Sequence, residues 1–246
     1  MFEFVIGELA PLDIFMALMT GVVGGVVLAA AFRWTQKGVE HWKPRKLVHV
    51  VMGTLVAFTV VTYSNISGPS FAAGIFLTVL VYAWAHKSDL IEELLLAGSR
   101  EGESNLSTFA SGFMGLIAFA AAFIVFFQRP EIFVSAMLAV SWADAAGEIV
   151  GRPYGGRLFR RPKANKSLEG ALSVFLVSLL AFGVSLAVFS VDTCPLCVVP
   201  ELLLVALVVT IIEFFSVGWT DNFFIPLATA VLLWLLVFPT MPLLVF

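Results

Sequence analysis

The chain has 246 residues, of which 60% are hydrophobic and only 13% are charged, and its formal net charge at pH 7 is −3. A soluble domain of this length has no core large enough for so much apolar surface, so the composition excludes an ordinary soluble enzyme and predicts an all-α integral membrane protein. The small net charge gives no indication of a nucleic-acid partner, and we expect none.

Eight stretches approach the length and apolarity of transmembrane helices, since about 20 apolar residues cross roughly 30 Å of hydrocarbon. Several are short, and seven spans are the alternative. In chain order, the predicted spans cover residues 12–32, 47–63, 69–85, 106–127, 131–150, 168–190, 199–216 and 223–245. The loops between them are too short for a separate soluble domain. Residues 1–246 are therefore predicted to form a single transmembrane catalytic domain with its chemistry at helix ends.

The first span follows an acidic leader that contains Glu3, Glu8 and Asp13. Cleavable signal peptides have a basic leader and a shorter apolar run, so we expect this span to stay in the membrane. Gly21 and Gly25 have the small-xxx-small spacing typical of closely packed membrane helices. They predict that this face of the first span packs against a neighbour.

Basic residues are concentrated in alternate loops. Loops 33–46, 86–105 and 151–167 together hold 13 of the 14 lysines and arginines, and Arg129 is the exception. By the positive-inside rule these loops, and with them the short loop 217–222, are predicted to be cytoplasmic. Both termini are then predicted to face outward.

A group of basic side chains begins the second span. Arg45, Lys46 and His49 lie at its cytoplasmic end, and Arg45 and His49 share a helix face because they are four residues apart. One interpretation is a catalytic role. The other is that Arg45 and Lys46 are ordinary anchors at the membrane interface.

Acidic side chains lie near the cytoplasmic ends of three later spans. Asp144 and Glu148 are in the fifth, Glu213 is in the seventh, and Asp221 with Asn222 precedes the eighth. A buried carboxylate must be paired, protonated or bound to a metal, so Asp144 and Glu213 are strong functional candidates. Glu148 has a simpler explanation, which is an ion pair with a loop arginine.

The loop after the fifth span combines glycines with basic residues. Gly151, Arg152 and Gly155 are followed by Lys166 and Ser167, immediately before a predicted helix start. Unpaired N–H groups at a helix start favour phosphate, although no P-loop motif is present. The alternative is a basic loop that only sets topology. Carboxylates beside phosphate-binding cations indicate Mg²⁺ and hence phosphoryl or nucleotidyl transfer to a membrane lipid.

The chain's two cysteines, Cys194 and Cys197, lie in a loop predicted to face outward. A zinc site needs two further ligands that this loop lacks. A local disulfide and two free thiols both remain open.

Several short motifs between residues 45 and 227 carry a family resemblance. They are Arg45-Lys46-Leu47-Val48-His49, Ser99-Arg100-Glu101-Gly102, Asp144 through Gly151 with Gly155, Lys166-Ser167-Leu168-Glu169-Gly170, Glu213, and Asp221-Asn222 with Pro226. Together they are similar to the motifs of the CTP-dependent lipid kinases, which include dolichol kinase and phytol kinase and are distantly similar to phosphatidate cytidylyltransferases. The chain departs from these motifs at Ala143, Gly147, Glu148 and Asn165.

The resemblance implies transfer of the γ-phosphate of CTP, with Mg²⁺, to an isoprenoid alcohol of the polyprenol, dolichol, phytol or geranylgeraniol type at the cytoplasmic face. The implied metal ligands or bases are Asp144, Glu213 and Asp221. Glu169 and Asn222 would orient these groups, while Arg45, Lys46 and His49 would neutralise charge or position the hydroxyl. The implied nucleotide-binding residues are Gly151, Arg152, Gly155, Lys166, Ser167, Glu169 and Asn222.

Two other functions compete with lipid phosphorylation. CTP-dependent cytidylyl transfer to a phospholipid acid shares the motifs from Asp144 to Gly170, but the ending at Asp221-Asn222 favours the kinases. A transporter would need polar residues through the whole membrane depth, whereas the outer halves of the predicted spans are almost free of charge.

Overall fold

The computed structural model describes residues 6–86, 105–155, 166–190, 193–194, 196–218 and 220–240. In chain order the helices are α1 (Pro11–Gln36), α2 (Trp42–Val60), α3 (Ser67–His86), α4 (Asn105–Phe126), α5 (Pro130–Leu138), α6 (Asp144–Tyr154), α7 (Leu168–Phe189), α8 (Val199–Phe215) and α9 (Thr220–Val237). A π-helical segment, Ala139–Ala143, joins α5 to α6. Within the described ranges there is no β-strand, which confirms the all-helical prediction there.

Among the described residues, five helices are long and apolar enough to cross a membrane, and they make the chain a multi-pass membrane protein. They are Pro11–Gln36, Leu106–Phe126, Pro130–Tyr154, Leu168–Phe189 and Thr220–Val237. The other three predicted spans also coincide with helices, namely α2, α3 and α8. The 17-residue α8 is short for a span, and α2 begins with several cations. The count of eight spans therefore stays a prediction.

The chain forms two compact units, Met1–Phe113 and Met114–Phe246. In the first, α1 packs against α2 and α3. The close approach uses Gly24, where an added Cβ would lie 3.0 Å from Cε of Met52. A Cβ on Gly21 or Gly25 would meet none of the described atoms within 4 Å. The close approach seen for α1 is therefore at Gly24, and the packing predicted from Gly21 and Gly25 stays a prediction.

Asp13 fastens the beginning of α1 to the turn between α2 and α3. Its side chain is fully buried, and Oδ1 accepts hydrogen bonds from the Ser64 backbone N–H at 3.1 Å and from the Ser64 hydroxyl at 3.2 Å. Burial, and then the nearby Asp13 carboxylate, raise the pKa of the Tyr63 phenol. In the adjoining residues, Asn65 donates to the Glu8 carbonyl at 3.1 Å. Asp13 thus has a structural role inside the fold.

Helix α7 is central to the second unit. It packs against α5, the π-helical segment, α6 and α8, while α9 packs against α5, the π-helical segment and α8. The Ser185 hydroxyl donates to the Glu131 carbonyl oxygen at 2.7 Å, and at the other end of α7 a Cβ on Gly170 would lie 2.7 Å from the Gly147 carbonyl oxygen. The run from α5 to α6 is therefore antiparallel to α7. The end of α6 and the beginning of α7 lie at the same end of this unit.

A buried ion pair marks the opposite end of the second unit. Glu131 is only 2% exposed, and its Oε1 lies 3.2 Å from Nη1 of Arg129. The Arg129 guanidinium also lies over the ring of Phe238, 5.2 Å from its centroid. The outer halves of the spans were expected to be almost charge-free, and Glu131 is a buried exception that is neutralised by its arginine neighbour.

Candidate active site

Glycines bring α6 and α7 into direct backbone contact. A Cβ on Gly151 would lie 3.1 Å from Oγ of Ser167 and 3.4 Å from Cα of Gly170, and a Cβ on Gly147 would lie 2.7 Å from Cγ2 of Val174. A Cβ does not fit at 2.7 Å and is unusually tight at 3.1 to 3.4 Å, so Gly147 needs glycine for close approach and Gly151 favours it. Gly147, Gly151 and Gly155 recur every four residues, which is the sequence signal that could have identified this face. The contact places Lys166 beside α6.

Lys166 and Glu213 form an ion pair at this end of the second unit. The Lys166 ammonium donates to Oε1 of Glu213. Glu213 is 2% exposed, whereas the Lys166 side chain retains 19% exposure. A Cβ on Gly147 would lie 3.3 Å from the same Glu213 oxygen, so the carboxylate rests against α6. One pair therefore links the segment before α7, the end of α8 and the glycine face of α6.

Two further carboxylates act on the Lys166 charge. Asp144 is the first residue of α6 and Asp221 lies in the first turn of α9, and both are buried. Burial alone would lower the pKa of the Lys166 ammonium, but the negative charges of Glu213, Asp144 and Asp221 outweigh it and raise that pKa. Lys166 is therefore a cation at neutral pH. Three buried carboxylates from three different helices therefore act on this one ammonium.

Ser167 has a defined structural partner. It is the N-cap of α7, and its Oγ accepts a hydrogen bond from the Gly170 backbone N–H at 3.1 Å. The side chain is 2% exposed, and a Cβ on Gly155 would lie 2.7 Å from its hydroxyl oxygen. The phosphate contact predicted for Ser167 stays a prediction. Glu169, two residues further along, is exposed at the beginning of α7.

Glu148 pairs with Arg152 one turn later on α6. Oε1 of Glu148 lies 2.7 Å from Nη2 and 2.8 Å from Nε of Arg152, and both side chains are partly exposed. This geometry confirms the interpretation that Glu148 neutralises a neighbouring arginine. Its negative charge is thus balanced by an arginine on the same helix.

The remaining predicted site residues lie on α2, on α9 or outside the described residues. Arg45, Lys46 and His49 lie on α2 in the first unit, where Lys46 is 2% exposed and the other two are partly exposed. Asn222 is partly exposed on α9, and its backbone N–H donates to Oδ1 of Asp221 at 2.9 Å. The catalytic role of the α2 residues stays a prediction. The Ser99–Gly102 motif and Asn165 lie outside the described residues.

The carboxylates suit a magnesium ion that arrives with a nucleotide. Among the described residues, no group of three or more His, Cys, Asp or Glu side chains forms a ready-made metal site. Mg²⁺ usually takes only one or two protein carboxylates and completes its shell with water and substrate phosphates. Asp144, Glu213 and Asp221 are the described residues that can supply such ligands, since all three are buried and act on Lys166.

Curated proteins with a similar sequence identify the relatives of this chain. "Probable phytol kinase 1, chloroplastic" of Oryza sativa subsp. japonica is 29% identical over 210 residues, which are 80% of this chain and 65% of that protein. "CTP-dependent diacylglycerol kinase 1" of Eremothecium gossypii is 29% identical over 214 residues, 78% of this chain and 66% of that protein. The chain is related to CTP-dependent lipid kinases. A "Probable phytol kinase, chloroplastic" of Zea mays is 27% identical over 80% of this chain and 68% of its own length.

These lipid kinase relatives confirm the resemblance drawn from the motifs. The chain spans about two thirds of the length of the curated relatives it matches. No family model and no solved structure matches the chain. The relationship thus rests on sequence similarity along most of the chain.

Proposed function

We propose that this protein transfers the γ-phosphate of CTP to the hydroxyl group of an isoprenoid alcohol of the polyprenol, dolichol, phytol or geranylgeraniol type. The observation that carries the proposal is the buried Lys166–Glu213 pair with Asp144 and Asp221 around it, at one end of a bundle of apolar helices. The lipid kinase relatives support the same chemistry. A site of this kind joins a water-soluble nucleotide to an alcohol dissolved in the membrane.

The reaction needs charge neutralisation and one proton acceptor. The alcohol oxygen forms a bond to the γ-phosphorus, the bond to the β,γ-bridging oxygen breaks, and CDP leaves. Lys166 stays protonated at neutral pH, so its ammonium can donate to phosphate oxygens. One carboxylate among Asp144, Glu213 and Asp221 accepts the hydroxyl proton. Gly151, Arg152, Gly155 and Asn222 are the proposed nucleotide neighbours.

Mg²⁺ is part of the proposal. One or two of the carboxylates of Asp144, Glu213 and Asp221 would hold it together with phosphate oxygens, and when bound it supplies charge neutralisation of the phosphates. The support is that these three buried carboxylates all act on the same Lys166 ammonium.

Diacylglycerol is a second candidate acceptor. One similar protein is named "CTP-dependent diacylglycerol kinase 1", and diacylglycerol presents a free hydroxyl at the membrane surface just as a prenol does. The phosphate-binding groups around Lys166 are equally suited to either acceptor. The surface that binds the apolar chain therefore determines whether a prenol or diacylglycerol is the acceptor.

The test is a labelling experiment with purified protein in detergent micelles. The protein is incubated with γ-labelled CTP, ATP or UTP and a panel of prenols and diacylglycerol, and the Asp144→Asn variant is the control. We expect label from CTP on a prenol, release of CDP, and loss of labelling in the variant. Pyrophosphate release with a CDP-linked lipid would instead establish cytidylyl transfer, and a lack of labelled lipid with every pair would refute kinase activity.

We also propose that the site faces the cytoplasm and that both termini face outward. The support is the concentration of 13 of the 14 basic residues in loops on one side of the predicted topology. Cys194 and Cys197 are the only cysteines of the chain and lie between α7 and α8, at the end opposite to Lys166. After treatment with a membrane-impermeant reductant, a membrane-impermeant maleimide should therefore label the protein in intact cells. Labelling that requires permeabilised cells would reverse the orientation.

A further inference from the structure

We propose that Cys194 and Cys197 form a redox-active dithiol that closes into an intramolecular disulfide by exchange with an external disulfide. The two residues lie between the end of α7 at Phe189 and the beginning of α8 at Val199. Neither belongs to the machinery around Lys166. The inference therefore stands independently of the proposed kinase activity.

Backbone geometry places the two cysteines within reach of a disulfide. The Cys197 backbone N–H donates to the Cys194 carbonyl oxygen at 3.0 Å, which is the hydrogen bond of a four-residue turn. Such a turn holds its first and last Cα atoms within about 7 Å. Disulfides usually join Cα atoms about 4.4 to 6.8 Å apart, so only a small adjustment is needed.

Both thiols are also accessible. The two side chains are exposed and no disulfide joins them in the structure. A structural thiol would instead be buried among apolar groups and inert. The described residues around them offer no further His, Cys, Asp or Glu that would complete a metal site. Two accessible thiols within reach of each other are suited to reversible oxidation.

The two sulfur atoms are not equivalent. The Cys197 thiol hydrogen bonds to the Cys194 sulfur and lowers the pKa of Cys194, while the same interaction raises the pKa of Cys197. The thiolate is the attacking species in disulfide exchange. Cys194 is therefore the attacking residue, and Cys197 is the one that resolves the intermediate.

The exchange proceeds in two balanced steps. The Cys194 thiolate attacks one sulfur of an external disulfide, such as oxidised glutathione or the disulfide of a dithiol oxidoreductase, and the other sulfur leaves as a thiolate. The Cys197 thiolate then attacks the Cys194 sulfur and displaces the second external thiolate. Two electrons pass to the external disulfide, and its two sulfur atoms take up the two protons that the cysteines lose.

The first experiment measures the number of free thiols in the full chain. Purified protein in detergent micelles is equilibrated with mixtures of reduced and oxidised glutathione, quenched with acid, and labelled with a polyethylene glycol maleimide that shifts the band on a gel. We expect both labels to disappear together as the oxidised fraction rises, and a digest to yield a peptide with a Cys194–Cys197 linkage. Retention of both labels in every mixture, or disulfide-linked dimers in place of this peptide, would overturn the proposal.

The second experiment separates the roles of the two sulfur atoms. Cys197→Ser keeps a hydroxyl donor next to Cys194 and should accumulate a stable glutathione adduct at Cys194. The adduct should form several-fold faster than the corresponding adduct at Cys197 in the matched variant Cys194→Ser. Because both positions are exposed, neither substitution is expected to disturb folding. Equal rates of adduct formation in the two variants would contradict the assignment of Cys194 as the attacking thiol.

Discussion

Replacement of Lys166 by methionine removes one half of the ion pair with Glu213 and keeps the length of the side chain. Glu213 would remain 2% exposed, next to the buried Asp144 and Asp221, without the ammonium that neutralises it. Loss of one partner from a buried pair costs about 3 to 5 kcal/mol. Because the Lys166 side chain keeps 19% exposure, water reduces this cost. We therefore expect a loss of about 3 kcal/mol in the free energy of unfolding, at the lower end of that range.

The assay is a double-mutant cycle of Lys166→Met, Glu213→Gln and the double variant, with the free energy of unfolding measured by SDS titration in mixed micelles. The two single changes should couple by about 1 to 3 kcal/mol, since neutralising both partners leaves neither of the two as an unpaired charge. Arg152→Met is the matched control, because it breaks a partly exposed pair with Glu148 and should cost about 1 kcal/mol or less. Equal losses for Lys166→Met and Arg152→Met, with no coupling in the cycle, would refute the reasoning.

Three further outcomes are expected. Asp144→Asn should keep membrane insertion and the melting temperature but lower CTP-dependent labelling of lipid by at least tenfold, whereas Glu148→Gln should keep most activity; near-normal turnover in Asp144→Asn contradicts the assignment. Gly147→Ala should lose about 1 to 3 kcal/mol of stability by overpacking, because its Cβ would lie 2.7 Å from Val174. In the control Gly183→Ala, the new Cβ on α7 meets no described atom within 4 Å, so this change should be neutral or slightly stabilising. Equal melting temperatures for the two variants would show that α6 and α7 can separate without cost. The raised pKa of Lys166 means that its contribution to stability is complete below the ordinary value of 10.5 and is lost as the pH rises through the higher folded value. The melting temperature of the wild type should therefore fall more steeply above pH 10.5 than that of Lys166→Arg. Parallel pH profiles of the two proteins would exclude this contribution.

Apolar runs predict the helices well because each membrane helix satisfies its own backbone hydrogen bonds. The predicted span 168–190 and the observed Leu168–Phe189 differ by one residue at the end. The predicted span 131–150 ended at the glycine and proline that follow it, whereas the helix continues through Pro153 to Tyr154. A proline in the last turn removes only one hydrogen bond, and the contact of Gly151 with Gly170 holds this turn against α7. Such a tertiary contact is not visible in local sequence.

Part of the candidate site was predictable, because charged residues within apolar stretches of sequence need a partner. Asp144 and Glu213 were identified for that reason, and the structure buries both of them near Lys166. The cap formed by Ser167 was missed, because the third helical residue is Gly170, whereas a capping box has Glu or Gln there. Asp13 was assigned to an acidic leader, since nothing local shows that Ser64 would meet its carboxylate. Pairings between distant segments are a property of the fold and are not encoded in spacing.

The single-domain prediction and the role of the α2 residues stay predictions. Arg45, Lys46 and His49 lie in the first compact unit, and the carboxylates around Lys166 lie in the second. The sequence groups them only through the positive-inside rule, which places helix ends on a side of the membrane without placing them next to each other.

The π-helical segment before Asp144 makes the length of this helix adjustable at one point. A π turn bonds each residue to the fifth along, so it contains one residue more than the α turn it replaces. Deletion of one residue within Ala139–Ala143 would restore α-helical bonding and leave Asp144 in phase with Gly147 and Gly151. A deletion between Asp144 and Gly147 would instead rotate the carboxylate by about 100° relative to the glycine face. The extra residue within Ala139–Ala143 thus allows the length of the membrane segment to change without a change in the orientation of Asp144 relative to the glycine face.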